Sequence, residues 1–271
     1  MLFRSVVDTV LSFEGDRHHA LRLLRASKHR FGATGELGLF EMHEEGLRGV
    51  ADPGALFLGD RSHGASGSIV ACAMEGQRPL MVELQALVST SPLAMPRRNV
   101  QGVDTNRVAL LLAVLEQRAQ LKLAFCDVFA SAVGGVRVTE PAGDLALALA
   151  LASALGEQPL PHDLVAVGEV GLAGEIRSVV HLERRLAEAA RLGFSTAVVP
   201  LSAPSVESPI ELIRVGTVRE AIERFDLRTR AGERKGQRPD RGSDRPERSP
   251  RQADGGGGGY DLARDASEWE T

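Results

Sequence analysis

The segment Asp144–Leu155 (DLALALALASAL) limits the possible folds more than any other part of this chain. After its opening aspartate only Ser153 is polar, so a helix formed here has no face suited to water. It is also shorter than the roughly 18–20 apolar residues that cross a bilayer. Such a helix must be enclosed on all sides by other elements of the same domain.

The neighbouring sequence supplies them. Ser68–Met74 and Leu80–Val88 flank the polar turn EGQR and read as a β-hairpin. Thr105–Gln117 places Val108, Leu111, Leu112 and Leu115 on one helical face. Leu123–Val128, Val133–Thr139, Leu164–Val170, Glu175–Ser178 and Thr196–Val199 read as strands. His181–Leu192 is an amphipathic helix stopped by Gly193, and Thr217–Phe225 a last helix. The expected fold is α/β (α+β), with a mixed domain over 55–226. Upstream, residues 4–14, 20–31 and Gly35–Met42 read as strands too few to close a core alone. They suggest the end of a preceding domain, over about 1–45.

Charge divides the chain. Residues 228–251 carry nine Lys/Arg against four Asp/Glu, while residues 1–227 carry 22 basic and 27 acidic groups. The basic stretch has almost no apolar side chains and leads into Gly255–Gly259, so 227–271 is expected to be a disordered Arg/Gly-rich tail. Its cations would attract nucleic-acid phosphates without regard to sequence; a merely solubilising tail is the plainer alternative.

Several chemistries are absent from the sequence. It contains no GxxxxGK[ST] phosphate loop, HExxH, GxSxG or Cys/His ligand cluster. Its two cysteines, Cys72 and Cys126, exclude a disulfide framework and a four-Cys zinc site within the chain. Both are expected to be small buried hydrophobes in strands. His18 and His19 are adjacent, so on a strand they point to opposite faces and make a poor metal pair. No bound metal or cofactor is expected. The opening MLFRSVVDTVLSFEGD lacks the parts of a signal peptide, and no segment is apolar for a membrane span, so a cytoplasmic protein is expected.

Three ordered blocks resemble one family. FEGDRHHALRLLRASKHRFGATGELGLFEM contains Lys28-His29-Arg30-Phe31-Gly32, similar to the KNRFG motif of the RadA (Sms) family of bacterial DNA-repair ATPases, with His29 where Asn is usual. Met95-Pro96-Arg97-Arg98, followed by Gly102-Val103-Asp104 and Asn106-Arg107, is the second block. GGVRVTEPAGDLALALALASAL with VAVGEVGLAGEIRSV resembles that family's C-terminal domain, which has the Lon-protease (ribosomal protein S5 domain 2-like) fold. Magnesium-chelatase subunits share parts of the third block but do not account for KHRFG.

The resemblance implies a C-terminal RadA portion: the last strands of a RecA-like ATPase core, then a Lon-like domain. The family's zinc ribbon and phosphate loop are not in this sequence, so ATP, magnesium and zinc belong to the full-length family, and this chain is not expected to hydrolyse ATP alone. Laid on the Lon pattern, Ala142 stands at the nucleophilic serine and Glu183 at the lysine base, so both members of the protease dyad are lost. The family further implies single-stranded or branched DNA, the recombinase RecA and copies of itself, as a hexamer, for partners. Lys28 and Arg30 would contact a nucleotide bound by a neighbouring subunit, or else form a solvated basic strand edge. Arg97 and Arg98, on a Pro-flanked loop, and Arg107, at a helix start, are candidate DNA contacts, or alternatively salt-bridge partners and interface anchors. Asn106 is a candidate cap for that helix. A Lon-type peptidase and a purely structural oligomerisation module are the competing readings.

Overall fold

The computed structural model describes residues 7–14, 21–32, 37–50, 58, 61 and 64–227. His18–His19, the basic stretch 228–251 and Gly255–Gly259 lie outside them. The chain opens with an antiparallel sheet of β1 (Thr9–Glu14), β2 (Leu21–His29), β3 (Leu37–His43) and β4 (Gly46–Gly49), ordered as in the sequence. Its Leu39 is only 4% exposed and joins the larger core, and Val50 N–H donates to the Leu39 carbonyl at 2.8 Å.

The second sheet contains β5 (Ser68–Glu75), β6 (Arg78–Thr90), β7 (Arg98–Gln101), β8 (Cys126–Ala132) and β9 (Leu164–Ala166). A two-stranded ribbon, β10 (Glu169–Val170) with β11 (Ile176–Arg177), branches off before β12 (Thr196–Pro200) and β13 (Glu211–Val215) complete it. The seven-stranded order is β13-β12-β9-β5-β6-β8-β7. Only the β5–β6 and β6–β8 pairings are antiparallel.

Among the described residues, the helices over this sheet are α1 (Thr105–Ala119), α2 (Asp144–Gly156), α3 (Leu182–Arg191) and α4 (Val218–Arg224). Strand alternation separates two cores. Ile69, Ala71, Val82 and Leu84 on one face pack with α1, α2 and α4. Val70, Cys72, Met81 and Val165 on the other meet Leu182, Leu186 and Ala189 of α3. The apolar helix sits in the larger core, with every residue from Asp144 to Ala154 buried, as its composition requires. No side chain caps its start; the Leu145 N–H instead donates to the Gly168 carbonyl at 3.0 Å.

The structure corrects some expectations. Val133–Thr139 is not a strand: Val133–Gly135 makes a tight 3₁₀ turn around Gly134 (φ 80°), and only Val138 bridges, to Val103. Two successive glycines favour that turn over the alternating pattern. The strand before it begins at Cys126, not Leu123. Arg98 opens an edge strand instead of lying on a loop. The cap of α1 is Asp104, not Asn106: its Oδ1 accepts from the N–H groups of Asn106 (2.7 Å) and Arg107 (3.1 Å).

Candidate functional site

The turn Pro141–Gly143 leads into α2 and packs beside the first turn of α3. Ala142 is 2% exposed among Val70, Cys72, Val165 and Leu182, and its carbonyl accepts from Gly168 N–H at 3.0 Å. A methyl group there fills space and has no lone pair to attack with. Glu183 lies exposed on the first turn of α3, where a carboxylate suits the helix N-terminus.

The charged groups at this place are a different pair. On α3, Leu182, Arg185, Leu186 and Ala189 form the buried stripe, so Arg185 points into the core and is 0% exposed. Its Nη1 and Nη2 donate to Glu140 Oε1 and Oε2, both at 2.7 Å. Nε donates to the Val180 carbonyl at 3.0 Å, Nη1 also reaches the Cys72 carbonyl, and Glu140 Oε1 accepts from Met74 N–H at 2.5 Å. This fork-on-fork geometry ties the turn, β5 and α3 together. Burial pushes the Cys72 thiol up to about 12, so it is no nucleophile near neutral pH. Among the described residues no group of three His, Cys, Asp or Glu could hold a metal ion. The arrangement is a filled, hydrogen-bonded junction of the turn, β5 and α3.

The cationic candidates separate. Arg107, on the first turn of α1, forks onto Asp144 at the start of α2, with Nε to Oδ1 at 3.2 Å and Nη2 to Oδ2; Asp144 also accepts from Val170 N–H at 3.2 Å. The hydrogen bond to Asp144 raises the Arg107 pKa, while burial raises that of Asp144 against the pull of the guanidinium. Three donors converging on one carboxylate favour the ionised pair. Arg98 turns its guanidinium onto the carbonyls of Cys126 and Leu123, the latter at 3.2 Å. Arg97 is exposed, and its backbone N–H donates to Asp127 Oδ1 at 2.7 Å.

Lys28 and Arg30 both reach back to the residues before β1. Lys28 Nζ donates to the Val7 carbonyl at 2.8 Å, and Arg30 Nη1 lies 3.2 Å from Asp8 Oδ1 with its side chain 70% exposed. The sequence reading missed the Glu140–Arg185 pair. Its signal was available: an arginine at a core position of an otherwise regular apolar stripe.

A family model described as subunit ChlI of Mg-chelatase matches residues 133–203. Proteins named DNA repair protein RadA are similar over a longer span. That of Halalkalibacterium halodurans is 49% identical over 226 residues, covering 82% of this chain and 49% of the relative. That of Synechocystis is 50% identical over 218 residues (80% and 43%), and that of Mycobacterium tuberculosis H37Rv 47% over 218 (80% and 45%). The chain thus spans about half the length of the curated relatives it matches.

Proposed function

Since the chain belongs, over the span it shares with these relatives, to the RadA family of bacterial DNA-repair proteins, we propose that it is the DNA-associated, ring-forming scaffold of a DNA-dependent ATPase that promotes branch migration in recombinational repair. The observation that carries this reading is the 45–50% identity to proteins of that name over some four-fifths of the chain. The filled turn at Ala142 supports it: on the Lon-like reading, the position of the serine holds a packed methyl group, which suits holding partners and not cutting them. The ChlI match covers only 133–203, and a chelatase reading leaves the rest of the chain without a role.

In this reading 1–45 is the remnant of a RecA-like core, 55–226 a non-proteolytic Lon-like domain and 227–271 a basic tail. Lys28 and Arg30 face a nucleotide held by the neighbouring subunit, with ATP and magnesium as ligands of the complete protein and zinc of its ribbon. Arg97 makes the phosphate contact, while Arg98 and Arg107 hold its strand and the following helix in place. Single-stranded or branched DNA, RecA and further copies of the chain, in a hexamer, are the partners, in the cytoplasm. Among the described residues no helix is long and apolar enough to cross a membrane.

The test combines sedimentation of the full chain with its binding to single-stranded and forked DNA across a salt series, and a casein assay alongside. Assembly beyond the monomer, salt-sensitive DNA binding and intact casein are expected. A monomer that ignores DNA removes the reading; casein cleavage replaces it with the peptidase.

A further inference from the structure

Among the described residues, one stretch of the seven-stranded sheet has no helix over it. Helix α3 lies over Val70, Cys72 and Met81, and beyond them the same face runs out into the open along β6, β8 and β7. The register aligns its side chains in rows. Ser68, Gln85, Ser131 and Gln101 form one row across four strands. Leu87, Phe129 and Asn99 form the next, and Ser89 and Asp127 follow. Arg97 precedes Asn99 by two residues, and its carbonyl accepts from Val128 N–H at 2.9 Å, so the ladder and its alternation extend to it. The cation therefore belongs to the same face, at the end of the amides.

A cavity of about 400 Å³ lies on the first two rows, which falls in the size range of small-ligand sites. Its accessible chemistry is neutral: amides and hydroxyls around a phenyl ring and Leu87, which is 62% exposed. The charge beneath it is satisfied from within. Buried Glu83 accepts from Ser68 Oγ at 2.5 Å and from Gln85 Nε2 at 3.1 Å, and the buried Arg61 faces it with Nε 4.0 Å from Oε1. Because the amide nitrogen of Gln85 faces the carboxylate, its carbonyl oxygen is left as an outward acceptor.

We propose that this open sheet face binds the unpaired bases of a nucleic-acid strand, with Arg97 at its end receiving the backbone phosphate. The site rests on the DNA-associated reading given above and names the part of the DNA that is read. Side-chain amides match the donor and acceptor edges of bases, and a flat face with an aromatic and an aliphatic side chain suits their π-faces. A double helix hides those edges and faces, so the site prefers single strands. The lack of accessible carboxylates in the first two rows matches a ligand whose charge lies only on its backbone.

The test measures fluorescence anisotropy of the full chain with an oligo(dT) strand and an abasic deoxyribose-phosphate strand of the same length, each long enough for a site of roughly 4–16 nucleotides. The wild type should bind the base-bearing strand roughly tenfold or more tightly. N99A/Q101A, changed at two exposed positions of an edge strand, should lose that preference while its affinity for the abasic strand stays. Leu87→Asp should weaken oligo(dT) binding as well. Equal wild-type affinity for the two strands, or an undiminished preference in N99A/Q101A, overturns the site but leaves DNA association standing. Binding to neither strand overturns both. If Leu87→Asp dissolves an assembly of the chain without touching oligo(dT) affinity, the face joins copies of the chain and is no base site.

Discussion

Arg185 is the only arginine in the buried stripe of α3, and it sits there because Glu140 and two backbone carbonyls accept four of its five N–H groups. A buried pair of this kind adds little over apolar residues of the same shape, yet either member alone is an uncompensated charge. Arg185→Ala and Glu140→Ala should therefore each lower stability by about 3–5 kcal/mol in urea unfolding. Arg185→Met with Glu140→Leu should cost clearly less than the two truncations summed. The pH dependence has a separate residue. The N–H of Arg97, followed by the Ser91 hydroxyl, holds the Asp127 carboxyl below its ordinary value. The folded pKa is thus below the unfolded one, so this stabilisation is present above about 3.8 and is lost as pH falls through the lower folded value. Asp127→Asn should flatten the acid limb of a stability-against-pH curve and leave its shape above pH ~5 unchanged.

At the scale of elements, what the sequence made legible depended on how each element gets its stability. The helices α1 and α3 bury stripes that recur at helical spacing, so periodicity found them; α2 is buried all round, which followed from composition alone. Strands β4, β7 and β13 are four or five residues with polar or charged positions, and they exist because a neighbouring strand accepts them at a sheet edge. No local pattern carries that information. The open face was hidden for the same reason: Gln85, Ser131 and Gln101 are far apart in sequence and align only through register. Ala142 and Glu183 could be named from the resemblance, but the Glu140–Arg185 pair beside the turn needed the packing. Gly67 shows how tightly β5 and α2 are joined. It has φ +83°, a Cβ there would lie 2.2 Å from the Ala86 carbonyl oxygen, and its N–H donates to Ser153 Oγ at 2.8 Å. Gly67→Ala should cost about 1–3 kcal/mol or more, because strain and a backbone clash add. Ser153→Ala strands the Gly67 N–H and should cost about 1–3 kcal/mol. Since both mutations loosen one junction, urea midpoints of the double variant should fall short of the sum.

For the whole molecule, the distribution of charge decides where a polyanion can be held. Residues 1–227 have 27 acidic against 22 basic groups, and two of the three arginines in the Arg97–Arg107 region, Arg98 and Arg107, have guanidinium groups bonded to partners in the same chain. The average field of that part repels DNA, and Arg97 is a local exception. The stretch 228–251, with nine cations and four anions, is one concentrated attraction, and residues 17–30, with five Lys/Arg and no Asp/Glu, are another. Removing residues 228–251 should therefore reduce the slope of log affinity against log salt by roughly 3.5 for single-stranded DNA, as about five fewer counterions are released. Arg97→Ala in the full chain should reduce it by less than about 1, the share of a single phosphate contact. Arg98→Ala should act on stability instead, because its guanidinium holds the carbonyls of Leu123 and Cys126. Anisotropy titrations from low to physiological salt separate these effects. An unchanged slope after removal of that stretch would put the phosphate contacts in 1–227, on exposed cations such as Arg97.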